Sequence, residues 1–419
     1  MAIVVQKYGG TSVGTTDRIK VVARRLIAAK ERGDRVVAVV SAMGDVTDEL
    51  VEKAQAISSE PPEREMDMLL ATGEQVTIAL LAMAIHAEGH EAMSFTGAQA
   101  GIVSDARHTK ARIQEIHADR VLDALDRGYI AIVAGFQALT PEGDITTLGR
   151  GGSDTTAVAV AAGLSADVCE IYTDVDGVFS ADPRIEPHAR KLDEISYEEM
   201  LEMAATGARV LQLRSVEFAR NHGVVIHVRS SFNENPGTIV READETMEQA
   251  IISGVTHDTS EAKVTVRDVP DRPGVAAEVF GKLADANVNV DMIIQNVSED
   301  GTTDISFTTP KDDLVRAKRA VAEVVAHLGA RDWTVDESVA KVSLVGAGMK
   351  THPGVAALMF RSLAEAGVNL DMISTSSIRV SCVIAAAQVE LAVRTLHAAF
   401  GLADESVTAE VSPSAGGEA

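Results

Sequence analysis

A chain of 419 residues with 46% hydrophobic and 24% charged side chains is long enough for two or three domains, each with a core of its own. Its formal charge of −24 argues against nucleic acid and anionic membrane surfaces as partners, so any anion-handling site must rest on a few local cations. With 3% aromatics and a single tryptophan, Trp333, the interiors must be built from Val, Ala, Leu and Ile.

The first predicted strand, around Val4-Val5, runs into Lys7-Tyr8-Gly9-Gly10-Thr11-Ser12-Val13-Gly14, and a helical pattern follows from about Asp17. Strand, glycine turn and helix is a layout that cradles phosphate: glycines let the backbone approach, free N–H groups face the anion, and a lysine adds full charge. The same stretch also reads as a strand, a tight turn and a solvated lysine, and it has neither the P-loop spacing nor the dinucleotide fingerprint. Val-rich strands at 35–40, 129–134, 168–172 and 224–228 then alternate with helical patterns at 18–30, 66–88 and 155–162. That alternation predicts an α/β fold with a mostly parallel sheet covered by helices on both faces. Ligands in such sheets sit beyond the carboxyl ends of the strands, where Ser41, Gly135 and Thr173 fall.

Around Asn233-Glu234-Asn235-Pro236-Gly237 the pattern is expected to break, and the acidic stretch Arg241 to Glu245 reads as a linker. Ala250 to Val255 looks like an extra strand that completes one of the modules that follow, the second rather than the first if one module is discontinuous. Beyond it lies an internal repeat. Asp271-Arg272-Pro273-Gly274-Val275-Ala276-Ala277 returns as Thr351-His352-Pro353-Gly354-Val355-Ala356-Ala357, and Asn287 to Ile293 returns as Gly367 to Ile373. Each copy reads strand, helix begun at Pro-Gly, strand, strand, helix, strand, with proline near the first helical position where its missing N–H costs nothing. The Gly/Ser/Pro-rich tail from Ser412 to Ala419 reads as disordered. Cys169 and Cys382 sit far apart in apolar strands, which predicts two buried thiols in a reducing compartment. The start of the chain has no signal-peptide pattern and no apolar run approaches membrane-spanning length, so a cytoplasmic protein is expected.

Three stretches taken together carry a resemblance: Lys7 to Val13, Gly149-Arg150-Gly151-Gly152-Ser153-Asp154, and Tyr172-Thr173-Asp174-Val175-Asp176-Gly177. They closely resemble the aspartate kinases of the amino-acid kinase superfamily, and the likeness extends to about Val411. The family usually has Phe where Tyr8 stands. The repeat resembles the ACT domain, a small ferredoxin-like βαββαβ module that binds amino acids. Two tandem copies after a kinase domain are the family's usual arrangement. The resemblance implies a kinase domain at 1–245, ACT domains at 263–336 and 340–412, and a strand at 250–256 that completes one of the ACT sheets.

The implied reaction moves the γ-phosphoryl group of ATP to the β-carboxylate of L-aspartate, giving 4-phospho-L-aspartate, a first step toward lysine, threonine and methionine. A carboxylate is already a nucleophile, so the task is to bring two anions together and stabilise the charge in transfer. By resemblance, Lys7 is the main electrostatic catalyst and Asp154 holds it in position; alone, Asp154 reads as well as a helix N-cap. Gly9, Gly10 and Ser12 would form the phosphate loop. Arg150 would hold the α-carboxylate with its forked donors, within a loop shaped by Gly151, Gly152 and Ser153. Glu74 would bind the ammonium group, although a lone Glu in a helix is more often a solvated surface residue. Ser41 and Thr47 would line the site near the phosphates and the aspartate. Thr173, Asp174, Phe179, Asp182 and Arg184 would surround the nucleotide; read without the resemblance they are a strand end and two turns. Arg209 stands where the family commonly has lysine. Any metal should be Mg²⁺ held mostly by ATP and not by the protein alone.

In the ACT-like modules the resemblance implies effector contacts at Asp271, Gly274, Val275, Ala276, Asn289, Asp291 and Gln295, and at Val355, Ala356, Asn369, Leu370, Ser376 and Ser377. Lysine and threonine are the expected effectors, inhibiting together. A homo-oligomer joined through the ACT domains is expected, with a separate short regulatory chain if translation also starts at Met247. Two other readings stay open at this level: a related kinase with a different acceptor, and an amino-acid-sensing regulator with a weak kinase domain.

Overall fold

The computed structural model describes residues 1–244, 251–296, 301–350, 352 and 354–403; Met247, Ser298 and the tail from Ser412 lie outside them. The chain divides into two compact units. The first comprises Met1–Val178, Lys191–Ala205 and Arg209–Gln249, and the second Phe179–Arg190, Thr206–Ala208 and Ala250–Ala419.

The first unit runs β1 (Ile3–Tyr8), α1 (Thr16–Glu31), β2 (Arg35–Val40), α2 (Val46–Ile57), α3 (Glu63–Leu70), α4 (Thr72–Ala87), β3 (Ala92–Phe95), β4 (Ile102–Ser104), β5 (Ile113–Ile116), α5 (Asp119–Asp126), β6 (Ile130–Ala134), β7 (Gln137–Leu139), β8 (Ile145–Thr147), α6 (Gly152–Gly163), β9 (Val168–Thr173), β10 (Glu194–Ser196), α7 (Tyr197–Ala205), α8 (Leu213–His222), β11 (Ile226–Ser230) and β12 (Thr238–Arg241). Its main sheet has the order β10-β12-β11-β9-β1-β2-β6-β3, parallel throughout except where β11 meets β12. The middle strands are apolar on both faces because helices cover both. Ile19, Leu26, Ile78, Leu81 and Ile85 of α1 and α4 pack on Val36, Ala38, Val40, Ile130 and Ile132. Opposite lies α6, buried from Gly152 to Ala161, whose Ala, Thr and Val side chains let it pack against β1, β2 and β9.

Three details depart from the sequence reading. The pattern does not end at Asn233: Pro236-Gly237 turns the chain back as β12, and a Cβ at Gly237 would sit 1.7 Å from the Val228 carbonyl oxygen. A second sheet, β5-β4-β7-β8, is built from strands of three or four residues, too short to show a period. Finally, α3 and α4 together form a 25-residue helical run, Glu63–Ala87, that is long and apolar enough to span a membrane by composition. Its Ile78, Leu81 and Ile85 are buried on the sheet, which gives the apolar character a role in the core.

The second unit contains β13 (Gly254–Asp258), β14 (Glu261–Pro270), α9 (Val275–Asp285), β15 (Ile293–Gln295), β16 (Thr302–Pro310), α10 (Leu314–Leu328), β17 (Asp332–Asp336), β18 (Val339–Val345), α11 (Val355–Glu365), β19 (Met372–Thr375), β20 (Arg379–Ala385) and α12 (Val389–Ala399). Two antiparallel sheets, β15-β16-β14-β17 and β13-β18-β20-β19, follow the repeat. Val264, Val266, Val279 and Leu283 in one core correspond to Val342, Leu344, Met359 and Leu363 in the other. Both first helices begin after a glycine with positive φ, Gly274 at 100° and Gly354 at 107°, a conformation that side chains with a Cβ rarely adopt. The edge that β17 fills in the first sheet is filled in the second by β13, paired with β18 from Gly254 opposite Val345 to Asp258 opposite Lys341. The second module is therefore completed by a strand that precedes the first.

The segment Phe179–Arg190 lies inside the span expected for the kinase domain, yet it packs in the second unit. Ala181 and Ile185 join the core of the second module, and Arg394 donates from Nε to the Ile185 carbonyl at 2.8 Å. The Ser180 hydroxyl meets Nε2 of the buried His397 at 2.9 Å.

Candidate active site

The site in the first unit is assembled where β1, β2, β9 and β11 end and where α4 and α6 begin. Strand alternation sends Gln6 and Tyr8 to one face of β1 and Lys7 to the other, toward α6. There the Lys7 Nζ meets Asp154 Oδ1 at 2.5 Å, with both side chains about nine-tenths buried. The sequence reading paired these two residues. On the opposite face the Tyr8 hydroxyl, at the position where relatives usually carry Phe, donates to Gln6 Oε1 at 3.0 Å and its ring stacks on Tyr172 at 4.8 Å. The added hydroxyl is thus satisfied, and burial pushes its pKa well above the ordinary tyrosine value.

The glycine turn depends on close approach. A Cβ at Gly10 would come within 3.0 Å of the Ala42 carbonyl oxygen, and the Gly44 N–H donates to the Gly10 carbonyl at 3.1 Å. A Cβ at Gly9 would lie 3.4 Å from the Lys7 amine. Ser12 leaves the turn to share a 2.6 Å hydrogen bond with Ser231, just past β11. Ser41 follows β2 and donates to Ser153 in the first turn of α6 at 2.9 Å. Gly135, after β6, admits Ser153: a Cβ there would be 2.7 Å from its hydroxyl. Lys7 with Asp154, and Ser41 with Ser153, thus meet across the strand ends, with Gly9 next to the Lys7 amine.

Glu74 lies in the first turn of α4 and is 2% exposed, which overturns the surface-residue alternative. Its Oε1 accepts from the Ala42 N–H at 3.1 Å, while Oε2 is buried without a hydrogen-bond partner. Desolvation raises the carboxyl to a pKa of about 7 against two backbone hydrogen bonds that lower it. A buried carboxylate with an orphan oxygen suits an incoming cation. Gly73 lets α4 approach, since a Cβ there would touch Ala42 at 2.9 Å. Thr47 lies in the first turn of α2 and is half-buried.

Arg150 is exposed in the loop before α6, with no hydrogen bond or ion pair to the described residues. Gly151 caps that helix at a φ of 71°, and a Cβ there would run into Gln212. Asp67, Thr147 and Arg214, which brace this loop, were not found from sequence. The available signal was an acid inside the apolar run Met66-Asp67-Met68-Leu69-Leu70, where burial has to be matched by donors.

The nucleotide set is divided. Thr173 ends β9 and donates to Asp174 at 3.0 Å, and its carbonyl accepts from the Ser231 N–H at 2.7 Å. Asp176 accepts from Asn233 and Asn235 at 2.7 and 2.9 Å, bonds that hold its carboxyl below the usual range. Arg209 is exposed just after α7. Phe179, Asp182 and Arg184 belong to the second unit, where Arg184 forks onto Asp182 at 2.7 Å.

In the second unit Gly274, Val275 and Ala276 start α9, and Val355 and Ala356 start α11. Asn289 and Asn369 are exposed, as are Asp271, Gln295, Ser376 and Ser377; Leu370 is half-buried. Asp291, expected to meet an effector's ammonium group, pairs through Oδ2 with Lys341 at 2.6 Å.

Residues 2–230 match the amino acid kinase family, and residues 264–326 and 342–400 each match the ACT domain. The aspartokinase of Mycolicibacterium smegmatis is 56% identical over 97% of this chain and 98% of its own. That of Corynebacterium glutamicum is 54% identical over 97% of each. The solved structure of E. coli aspartokinase III in complex with aspartate and ADP (R-state) is 26% identical, with a TM-score of 0.81 over 95% of this chain and 99% of that one. A glycine turn with its lysine, a buried unpaired carboxylate and two ACT modules are thus joined by close likeness along nearly the whole length, and the chain belongs to the aspartokinases, ATP-dependent kinases of the amino acid kinase family.

Proposed function

We propose that Glu74 takes the ammonium group of L-aspartate and Arg150 its α-carboxylate, leaving the β-carboxylate to attack the γ-phosphorus of ATP. Lys7 and the amides of Gly9 and Gly10 then receive the charge that develops on the transferring phosphoryl group, with Asp154 orienting the lysine. Ser41, Thr47, Gly151, Gly152 and Ser153 complete the aspartate side. Thr173 and Asp174, with Arg209 and Ser12, serve the nucleotide. Mg²⁺ would enter with the nucleotide, held mostly by ATP and water in accord with its preference for oxygen ligands, and would offset the charge of the phosphates. The observation that carries the reading is Glu74 Oε2: a buried acceptor without a partner.

The raised pKa supplies the test. Glu74 must be ionised to hold an ammonium ion, so kcat/KM for aspartate should rise about tenfold per pH unit below pH 7 and level off above it. Glu74→Gln should abolish that limb and raise KM for aspartate while leaving KM for ATP nearly unchanged. A limb that survives the substitution assigns the titration elsewhere. Stability moves the opposite way. The folded state holds the proton more tightly than the unfolded one, so this group's contribution declines as pH rises from about 4.5 to about 7.

The second unit is proposed to sense lysine and threonine together, through the glycine-started helices and through Asp271, Asn289, Gln295, Asn369, Ser376 and Ser377. Support comes from the E. coli aspartokinase III structure in complex with lysine and aspartate (T-state), 26% identical with a TM-score of 0.75 over 94% of this chain and 99% of that one. Initial rates with lysine and threonine, singly and paired, decide it. A cytoplasmic homo-oligomer joined through the ACT modules completes the proposal, with a short chain begun at Met247 that Met247→Leu would remove from a gel.

A further inference from the structure

The loop that carries Arg150 is gripped from two sides by charged groups that the chemistry does not use, a buried Asp67 and a half-buried Arg214. From α3, Asp67 is fully buried and accepts from the Thr147 hydroxyl at 2.5 Å, the Thr109 N–H at 3.0 Å and the His108 ring at 2.7 Å. Those bonds hold Thr109 at a φ of 63°, a left-handed conformation that residues with a Cβ rarely adopt. The Thr109 carbonyl in turn fills the space beside Gly149, where a Cβ would approach it to 3.0 Å. From the first turn of α8, Arg214 donates to the Leu148 carbonyl at 2.6 Å and the Ala111 carbonyl at 3.0 Å. The Ala111 N–H closes the frame by donating to the Thr147 carbonyl at 3.0 Å.

Burying a lone carboxylate or guanidinium is costly, and apolar side chains of similar size would hold two strands together as well. The charges here act instead on residues 147–149, immediately before an arginine that makes no ion pair with the described residues. We infer that Asp67 and Arg214 are positioning residues for aspartate binding: they fix the loop at 147–151 so that the Arg150 fork is already aimed at the substrate's α-carboxylate. This rests on the proposed role of Arg150, and it identifies what keeps that flexible side chain's base from wandering. Displacement of a clamp by about 1 Å is enough to cost on the order of a hundredfold in rate.

The test compares Asp67→Asn, Thr147→Val and Arg214→Lys with Arg150→Ala in the full-length enzyme, by initial rates in both substrates and by thermal unfolding. Asp67→Asn and Arg214→Lys should each raise KM for aspartate by about tenfold to a hundredfold, with KM for MgATP within about twofold and kcat within about threefold. Thr147→Val removes one hydroxyl and should raise it by about threefold to tenfold. If Asp67→Asn does not fold, the other two variants carry the comparison. A lowered unfolding temperature with KM for aspartate within about twofold of the parent would make the residues structural only and overturn the inference, as would an equal rise in both KM values. If Arg150→Ala raises KM for aspartate and the bracing variants do not, this inference alone falls. If Arg150→Ala leaves it unchanged, the assignment of Arg150 falls and takes the inference with it.

Discussion

Lys7 in the first unit and Lys341 in the second are both buried lysines on sheet strands that meet a carboxylate, at 2.5 Å and 2.6 Å. Their surroundings differ. Lys341 is 1% exposed and lies between two acids, Asp291 at 2.6 Å and Glu261 at 2.7 Å, which tie the two ACT modules together. Burial alone would pull its pKa down, but the Glu261 and Asp291 charges hold it above the ordinary lysine value. Lys7 has a single acid, Asp154, and faces a glycine rather than a second carboxylate. An ammonium group has three donors, so Lys7 keeps capacity for a phosphoryl oxygen, whereas Lys341 spends its capacity on folding. The same pairing of residue types is thus left incomplete at Lys7, where catalysis is proposed, and closed at Lys341, where it joins the two modules.

The strongest way to break this contrast is Lys341→Met, which leaves the buried Glu261 and the partly exposed Asp291 without a cation. A loss of about 3 kcal/mol is expected, the low end for an orphaned buried charge because the Asp291 side chain is 35% exposed. Thermal unfolding should show it, while uninhibited turnover at low temperature stays near that of the parent. Unchanged unfolding would make the triad inert. Lys7→Met should act on catalysis as well: kcat falls by about a hundredfold to a thousandfold, some 3–4 kcal/mol of transition-state stabilisation, on top of the loss of stability from leaving the buried Asp154 without its cation. Near-normal kcat in that variant would end its assignment as catalyst. The finest test uses the repeat itself. Lys263 and Asp371 occupy the positions of Lys341 and Asp291 and pair at 3.1 Å, but their side chains are 23% and 35% exposed, and Val339 stands where Glu261 would. Asp371→Asn should therefore cost less than about 1 kcal/mol. A loss as large as that for Lys341→Met would show that burial does not set the difference.

How much of this was legible beforehand varied by residue. The Gly9-Gly10 turn was readable because its motif is local, whereas the pairing of Lys7 with Asp154, distant in the chain, came through likeness to a family. Glu74 was readable only through its likeness to a family, since nothing in Ala71-Thr72-Gly73-Glu74 says that the carboxylate is buried with an unpaired oxygen. Asp67 and Arg214 were invisible, because their partners are backbone groups and hydroxyls distant in the chain. The ion pair of Asp291 with Lys341 was invisible for a similar reason: the resemblance gave Asp291 as an effector contact, and its partner lies 50 positions away.

By itself the sequence determined what is periodic or repeated: the alternation of strands and helices, the strand–glycine turn–helix at the start, and the duplicated module with its Pro-Gly helix starts. Those signals depend on neighbours within a few residues, or on one stretch resembling another. Tertiary structure alone decided which module β13 completes, that Phe179–Arg190 packs in the second unit, and which charges are closed off. Burial and pairing are set by residues that meet only after folding, as with Asp67 and Thr147, 80 positions apart, or Asp291 and Lys341, 50 apart. The free energy of a buried charge depends on that company and not on its place in the chain.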